Sequence, residues 1–265
     1  MTAGFHIDSN LKMFFRMWRS PKRSWFSHIS QKMHTQIPVS SVNYSSAGSK
    51  LSDRTYNLAL DAVFNIKSMR DQVNKLLAKN FPDLILIWMG HNELNWVLKK
   101  EKNAELIAEK FRRDFQAQLA RICEKAATED KPVAIIVFGF IDIGSLFLLR
   151  EAALQSRQKN KKLFPYFEKG YRMFPSIKPE HKEVTLSLAK RLNGELAEAA
   201  AFCEKSYGNK KLRIKYSDVL TKVSSDSLEH VTVKDGWHPS AQGQKRLAEA
   251  AWPVVEKQLS FLLKK

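Results

Sequence analysis

The chain has 265 residues, 44% of them hydrophobic, with 10 Gly and 9 Pro, a composition that excludes disorder, collagen and low-complexity sequence and suits a globular protein with a sizeable core. Lys and Arg number 44 against 27 Asp and Glu, a formal net charge of +17, which favours anionic partners without choosing among nucleic acid, phospholipid surfaces and acidic polymers. Two cysteines, Cys123 and Cys203, are too few for a disulfide framework and have no zinc-ligand spacing, so both read as core thiols.

The longest apolar stretch, Val133 to Leu149, is broken by Asp142 and is shorter than the ~20 residues that cross a bilayer as a helix. The opening Met1-Thr2-Ala3-Gly4-Phe5 shows no charged region followed by a long apolar one, so the sequence from Met1 onward carries no recognisable secretory signal. A start further upstream has room for one, and the compartment is left open.

In chain order, Val39 to Tyr44 is a β-branched run that predicts a short strand ending in Ser45-Ser46-Ala47-Gly48. Leu58 to Leu77 repeats apolar residues at three- and four-residue steps, as an amphipathic helix does. Leu84 to Met89 is a continuous apolar run stopped by Gly90, the pattern of a strand buried on both faces. Ala104 to Lys125 predicts the next helix and Val133 to Phe138 a second buried strand. An irregular basic and aromatic segment is expected from about Arg150 to Ser176, followed by a helix over 179–205, a strand over Leu212 to Tyr216, and a last helix from near Ser240 towards Leu263. Strands alternating with helices predict an α/β fold, a three-layer α/β/α sandwich around a doubly wound, flavodoxin-like parallel sheet whose crevice lies at the carboxyl ends of the strands. The whole chain, 1–265, reads as one domain, with 150–178 an insertion within it.

Chemistry should therefore sit just after each strand. Those positions hold Gly48, then Gly90-His91-Asn92-Glu93, and, before the last helix, Asp235-Gly236-Trp237-His238-Pro239. Asp235 and His238 are spaced so that both side chains share one side of a tight turn, where a carboxylate can hold an imidazole in one tautomer. A glycine N–H and an asparagine amide are the donor types that stabilise an oxyanion, which makes Gly48 and Asn92 candidates. Taken singly, each has a plainer reading, as a turn residue or helix cap.

In their joint order these residues resemble the SGNH or GDSL-type esterase and lipase family, and within it the phospholipase B-like branch. The resemblance rests on Val42-Asn43 to Gly48, Asp83 to Glu93 with its Gly-x-Asn, Val133 to Leu146, and Asp235 to Pro239, and spans nearly the whole chain. It implies the SGNH hydrolase fold, no cofactor and no metal, Asp235 and His238 as catalytic residues, Gly48 and Asn92 in the oxyanion hole, and a small-molecule ester or phospholipid as substrate. Glu93 stands where the family usually has Asp. The family nucleophile, a serine in a Gly-Asp-Ser block at the end of the first strand, has no counterpart in this chain. Because Met1-Thr2-Ala3-Gly4 resembles the residues that follow that serine, and Ser24-Trp25 a later pair, the first strand and its nucleophile are expected upstream of Met1. The fallback is Ser9, in a degenerate block Asp8-Ser9-Asn10 behind Phe5-His6-Ile7.

In a sheet ordered 2-1-3-4-5 the first strand is central, so a chain without it should leave the strands at Val39 and Leu84 with open edges and should express poorly. Lys, Arg and aromatic residues interleave over Met13 to Trp25 and Lys159 to Lys178, which reads either as a solvated face or as a surface for peripheral contact with an anionic membrane. No nucleic-acid-binding module is recognisable, and nucleic acid is not the expected partner. The competing reading is an inactive, truncated protein of the same fold that holds anionic lipid or nucleic acid through its positive charge. Of the other histidines, His91 reads as a packed or solvent-facing side chain in preference to a pocket-lining one, and His230 as one with no partner at useful spacing. Trp237 reads as the anchor of its loop.

Overall fold

The computed structural model describes residues 24–43, 51, 68–97, 103–157, 175–232 and 236–263. Three parallel strands, β1 (Leu84–Ile87), β2 (Val133–Phe138) and β3 (Leu212–Ser217), stand side by side in chain order. The register pairs Leu84 with Ala134 and Ile87 with Val137 on one side of β2, and Val133 with Leu212 and Phe138 with Ser217 on the other. All six residues of β2 are buried, as a central parallel strand with helices on both faces requires. β3 alternates instead: Leu212 and Ile214 point inward, while Arg213 and Lys215 are exposed. Charged side chains of this kind keep a sheet edge from pairing with another chain.

Among the described residues there are six α-helices. α1 (Trp25–His34) starts at Ser24, whose Oγ accepts the Ser27 N–H at 3.2 Å, and buries Trp25 and Ile29. α2 (Met69–Leu77) opens on a reciprocal Ser68–Asp71 capping box. α3 (Ala104–Ala127), capped by Asn103, buries Ile107, Phe111, Phe115, Leu119 and Ile122 at helical spacing. α4 is Ile143–Arg157, α5 Lys182–Tyr207 and α6 Ala241–Leu262. Helices α2, α3 and α5 pack together on one face and α1 with α6 on the other, which makes the three layers. Cys123 of α3 and Cys203 of α5 are both buried where those helices meet, and their hydrogen bond, with burial, pushes the Cys123 thiol above its ordinary range.

Most expected elements are present, and three differ. The helix expected over Leu58 to Leu77 is described from Met69 onward, residues 52–67 lying outside the described set. The segment expected to be irregular from Arg150 begins as helix: α4 runs on to Arg157, with Arg150 buried. Residues 38–43 form no strand, and Val42 is 58% exposed, whereas a strand was expected from Val39. A β-branched run becomes a strand only when a neighbour pairs with it, and among the described residues none does. These residues and β1 instead flank a cleft of about 1020 Å³. Among the described residues no helix is long and apolar enough to cross a membrane.

Candidate active site

The turn after β1 is fixed by packing. Gly90 has φ +109°, a conformation that side chains strain to adopt, and a Cβ there would lie 2.5 Å from the Phe140 ring. Only glycine allows the chain to reverse against Phe140, which follows β2. Trp88 closes the same contact by donating Nε1–H to the Gly139 carbonyl at 3.0 Å. His91 then lies between two rings, 4.8 Å from Trp88 and 4.7 Å from Phe140. It is 3% exposed, and no hydrogen-bond partner reaches its Nε2 among the described residues. Burial, reinforced by the charge of His238, holds its imidazole well below the ordinary 6.5, so His91 is a neutral, packed ring at neutral pH.

Asn92 follows, half-buried at the rim of the cleft. Two buried contacts brace the turn that carries it. Glu93 Oε1 accepts the backbone N–H of Leu51 at 2.6 Å, which ties Leu51 to the residue next to Asn92. Asn95, fully buried in a π-helical turn (Glu93–Val97), donates to the His91 carbonyl at 3.4 Å and accepts the Ser176 hydroxyl, while Thr185 Oγ1 donates to the Ser176 carbonyl at 2.9 Å. Buried polar groups are costly unless satisfied, and Asn95, Ser176 and Thr185 hydrogen-bond in a chain.

His238 is held by a second, backbone-built loop. Thr232 N–H donates to the His238 carbonyl at 2.8 Å, Gly236 N–H donates to the Thr232 carbonyl at 2.9 Å with Gly236 at φ 63°, and Val231 bridges to Pro239. Trp237 is 1% exposed and anchors this loop in the core. The loop runs into α6, whose N-cap Ser240 accepts the Gly243 N–H at 3.1 Å. His230 has partners that its sequence spacing did not suggest: Asp226 Oδ1 lies 3.0 Å from its Nδ1, and Arg246 contacts both His230 and Asp226. The Arg246 guanidinium holds the Asp226 carboxyl below the usual carboxylate range. This cluster props the start of the loop that bears His238.

The two loops come within electrostatic reach of one another, since the His238 charge acts on His91, the residue next to Asn92. Of the residues singled out in the sequence, Asn92 lies in the turn beyond the carboxyl end of β1, and His238 in a loop whose charge reaches His91 of that turn. Asp235, Gly48 and Ser9 lie outside the described residues. Among the described residues no group of His, Cys, Asp and Glu gathers as a metal cage. The profile of the GDSL-like lipase/acylhydrolase family matches residues 8–251, nearly the full chain.

The chain belongs to the GDSL-like lipase/acylhydrolase family. No curated protein and no solved structure matches it at a significant level. Membership brings the α/β fold of SGNH hydrolases, here a parallel sheet between helical layers, and places the chain among hydrolases of the esterase and lipase type. The Glu93–Leu51 clamp and the Asn95–Ser176–Thr185 chain are features of this GDSL-like protein that its sequence did not disclose. Glu93 stood out only as a departure from the family's usual residue. The partners of Asn95 come from elements far along the chain.

Proposed function

We propose that the protein hydrolyses acyl esters by a serine mechanism in which His238 is the general base, Asp235 its orienter, and Gly48 and Asn92 the oxyanion donors. His238 takes the proton of the serine hydroxyl as that oxygen attacks the ester carbonyl, and returns it to the departing alcohol. Asp235 holds the imidazole in the productive tautomer and balances the imidazolium. The Asn92 amide and the Gly48 N–H receive the charge that develops on the carbonyl oxygen. Water then repeats the cycle on the acyl-enzyme, with no cofactor. The nucleophile in this reading is the serine of a Gly-Asp-Ser turn directly ahead of Met1, with Ser9 as the alternative. The one observation that carries the reading is the match of the acylhydrolase family over residues 8–251, which includes the Gly90–Asn92 turn and the loop of His238.

A fluorophosphonate probe tests it. The serine oxygen would attack phosphorus and expel fluoride, leaving a stable adduct that peptide mapping locates. Protein produced with its upstream residues should label on the serine before Met1, and His238→Ala should suppress labelling. An adduct on Ser9 would move the nucleophile, and equal labelling of the His238→Ala variant would remove the triad. The same reading extends to phospholipid esters at an anionic membrane, supported by the net charge of +17. Flotation with vesicles should rise with their anionic lipid content.

A further inference from the structure

The first turns of α6 hold the loop of His238 at both ends. The N-cap Ser240 donates its backbone N–H to the His230 carbonyl at 3.0 Å, and its hydroxyl donates to the Glu229 carbonyl. Gly243 lies so close to the same His230 carbonyl that a Cβ has no room there. Val231 bridges antiparallel to Pro239, and Thr232 N–H donates to the His238 carbonyl at 2.8 Å. Residues 230–232 and 238–240 therefore form one clip, and a shift of His230 is passed to His238 through the backbone hydrogen bonds that join its two arms.

Three residues beyond Gly243, on the same side of α6, Arg246 grips the side chain at the head of that clip. Its Nη1 donates to the Ser224 carbonyl at 3.2 Å and to Asp226 Oδ1 at 2.8 Å, and lies 2.6 Å from His230 Nδ1. A guanidinium carries donors only, so Nδ1 is the acceptor and the imidazole proton sits on Nε2. Asp226 Oδ1 and His230 Nδ1 are then two acceptors 3.0 Å apart, a separation that their shared donor makes tolerable. The Asp226 side chain is 61% exposed, and an ion pair so open to water adds little to stability. What the cluster determines is where the His230 ring, only 12% exposed, sits.

We infer that Arg246 is a positioning residue: by tying His230 to Asp226 and Ser224 it sets the orientation of the clip, and with it the direction of the His238 imidazole. Its effect on turnover rests on the ester hydrolase reading above; its effect on His238 does not.

The test compares the 265-residue chain with its Arg246→Ala and Arg246→Lys variants. NMR follows two signals of one loop: the imidazole Cε1–H of His238, assigned by its absence from His238→Gln, and the indole N–H of Trp237. In Arg246→Ala the His238 signal should shift and broaden while that of Trp237 stays, and added methylguanidinium should restore the parent position. Arg246→Lys should lie between, since one ammonium does not reproduce a planar fork that meets three acceptors. In a form of the protein that labels with the fluorophosphonate probe, Arg246→Ala should lower kcat for p-nitrophenyl butyrate by about 10²-fold with KM nearly unchanged. A His238 signal identical in the parent and Arg246→Ala would overturn the inference. So would loss of the His238 and Trp237 signals together, reversed by neither lysine nor methylguanidinium, because Arg246 would then be a brace of the fold alone. A displaced and rescuable His238 signal with turnover unaffected would keep Arg246 as the positioning group and overturn the hydrolytic role of His238.

Discussion

The two neighbours of β2 differ in how completely the sheet is finished beyond them. On one side β3 pairs along six positions, its outer flank carries Arg213 and Lys215, and Arg213 lies 4.0 Å over the Phe261 ring of α6. On the other side β1 is shorter, its Leu84 and Leu86 are only half-buried, and its outer flank opens on the cleft. The finished side has no chemistry assigned to it. The open side ends at Asn92, next to His91, which the His238 charge reaches, so the open flank and the proposed reactive turn are one region of the molecule.

This contrast sets the sizes of several effects. Phe138, fully buried at the carboxyl end of β2 and 5.5 Å from the Trp25 ring, belongs to the finished part, and Phe138→Ala should cost about 3–5 kcal/mol in urea unfolding. Gly90→Ala should cost about 3 kcal/mol, because the left-handed backbone and the contact with Phe140 both resist a Cβ. A Gly90→Ala protein as stable as the parent would mean that the turn is less tightly packed than its geometry implies. Glu93→Ala should cost about 1–3 kcal/mol, since it leaves the Leu51 N–H without its acceptor in a buried place.

His91 gives the pH dependence. Folding keeps its pKa below 6.5, so as pH falls through 6.5 the unfolded chain binds a proton that the folded chain refuses. Its contribution to stability is therefore present above pH 6.5 and is lost on acidification, down to the lowered folded value, with a slope of at most about 1.4 kcal/mol per pH unit for one proton. His91→Phe should flatten the slope of melting temperature against pH below that point; an unchanged slope would place the titration elsewhere. The smallest effect is expected on the open flank itself, where Leu86→Ala should cost about 1 kcal/mol or less because the side chain is already half in solvent.

What could be read from the residues followed physical locality. Val133 to Phe138 announced β2 because six consecutive apolar residues suit only a strand buried on both faces, and the spacing of Ile107, Phe111, Phe115 and Leu119 with its Asn103 cap announced α3. Asn92 and His238 could be proposed as site residues because each follows or precedes an element whose ends were clear. Leu51 and Glu93, or Asn95 and Ser176, meet only in the folded chain, 42 and 81 positions apart, and leave no local pattern. The strand expected at Val39 failed for a related reason, as strand formation is a property of a pair and, among the described residues, no strand lies beside residues 38–43 to make one.

The most direct test of the account is the turnover of a soluble ester by the protein extended with Gly-Asp-Ser ahead of Met1, compared with its His238→Ala variant. The account predicts a fall in kcat of about 10⁴-fold with an unchanged melting temperature, and equal turnover by the two proteins would contradict it.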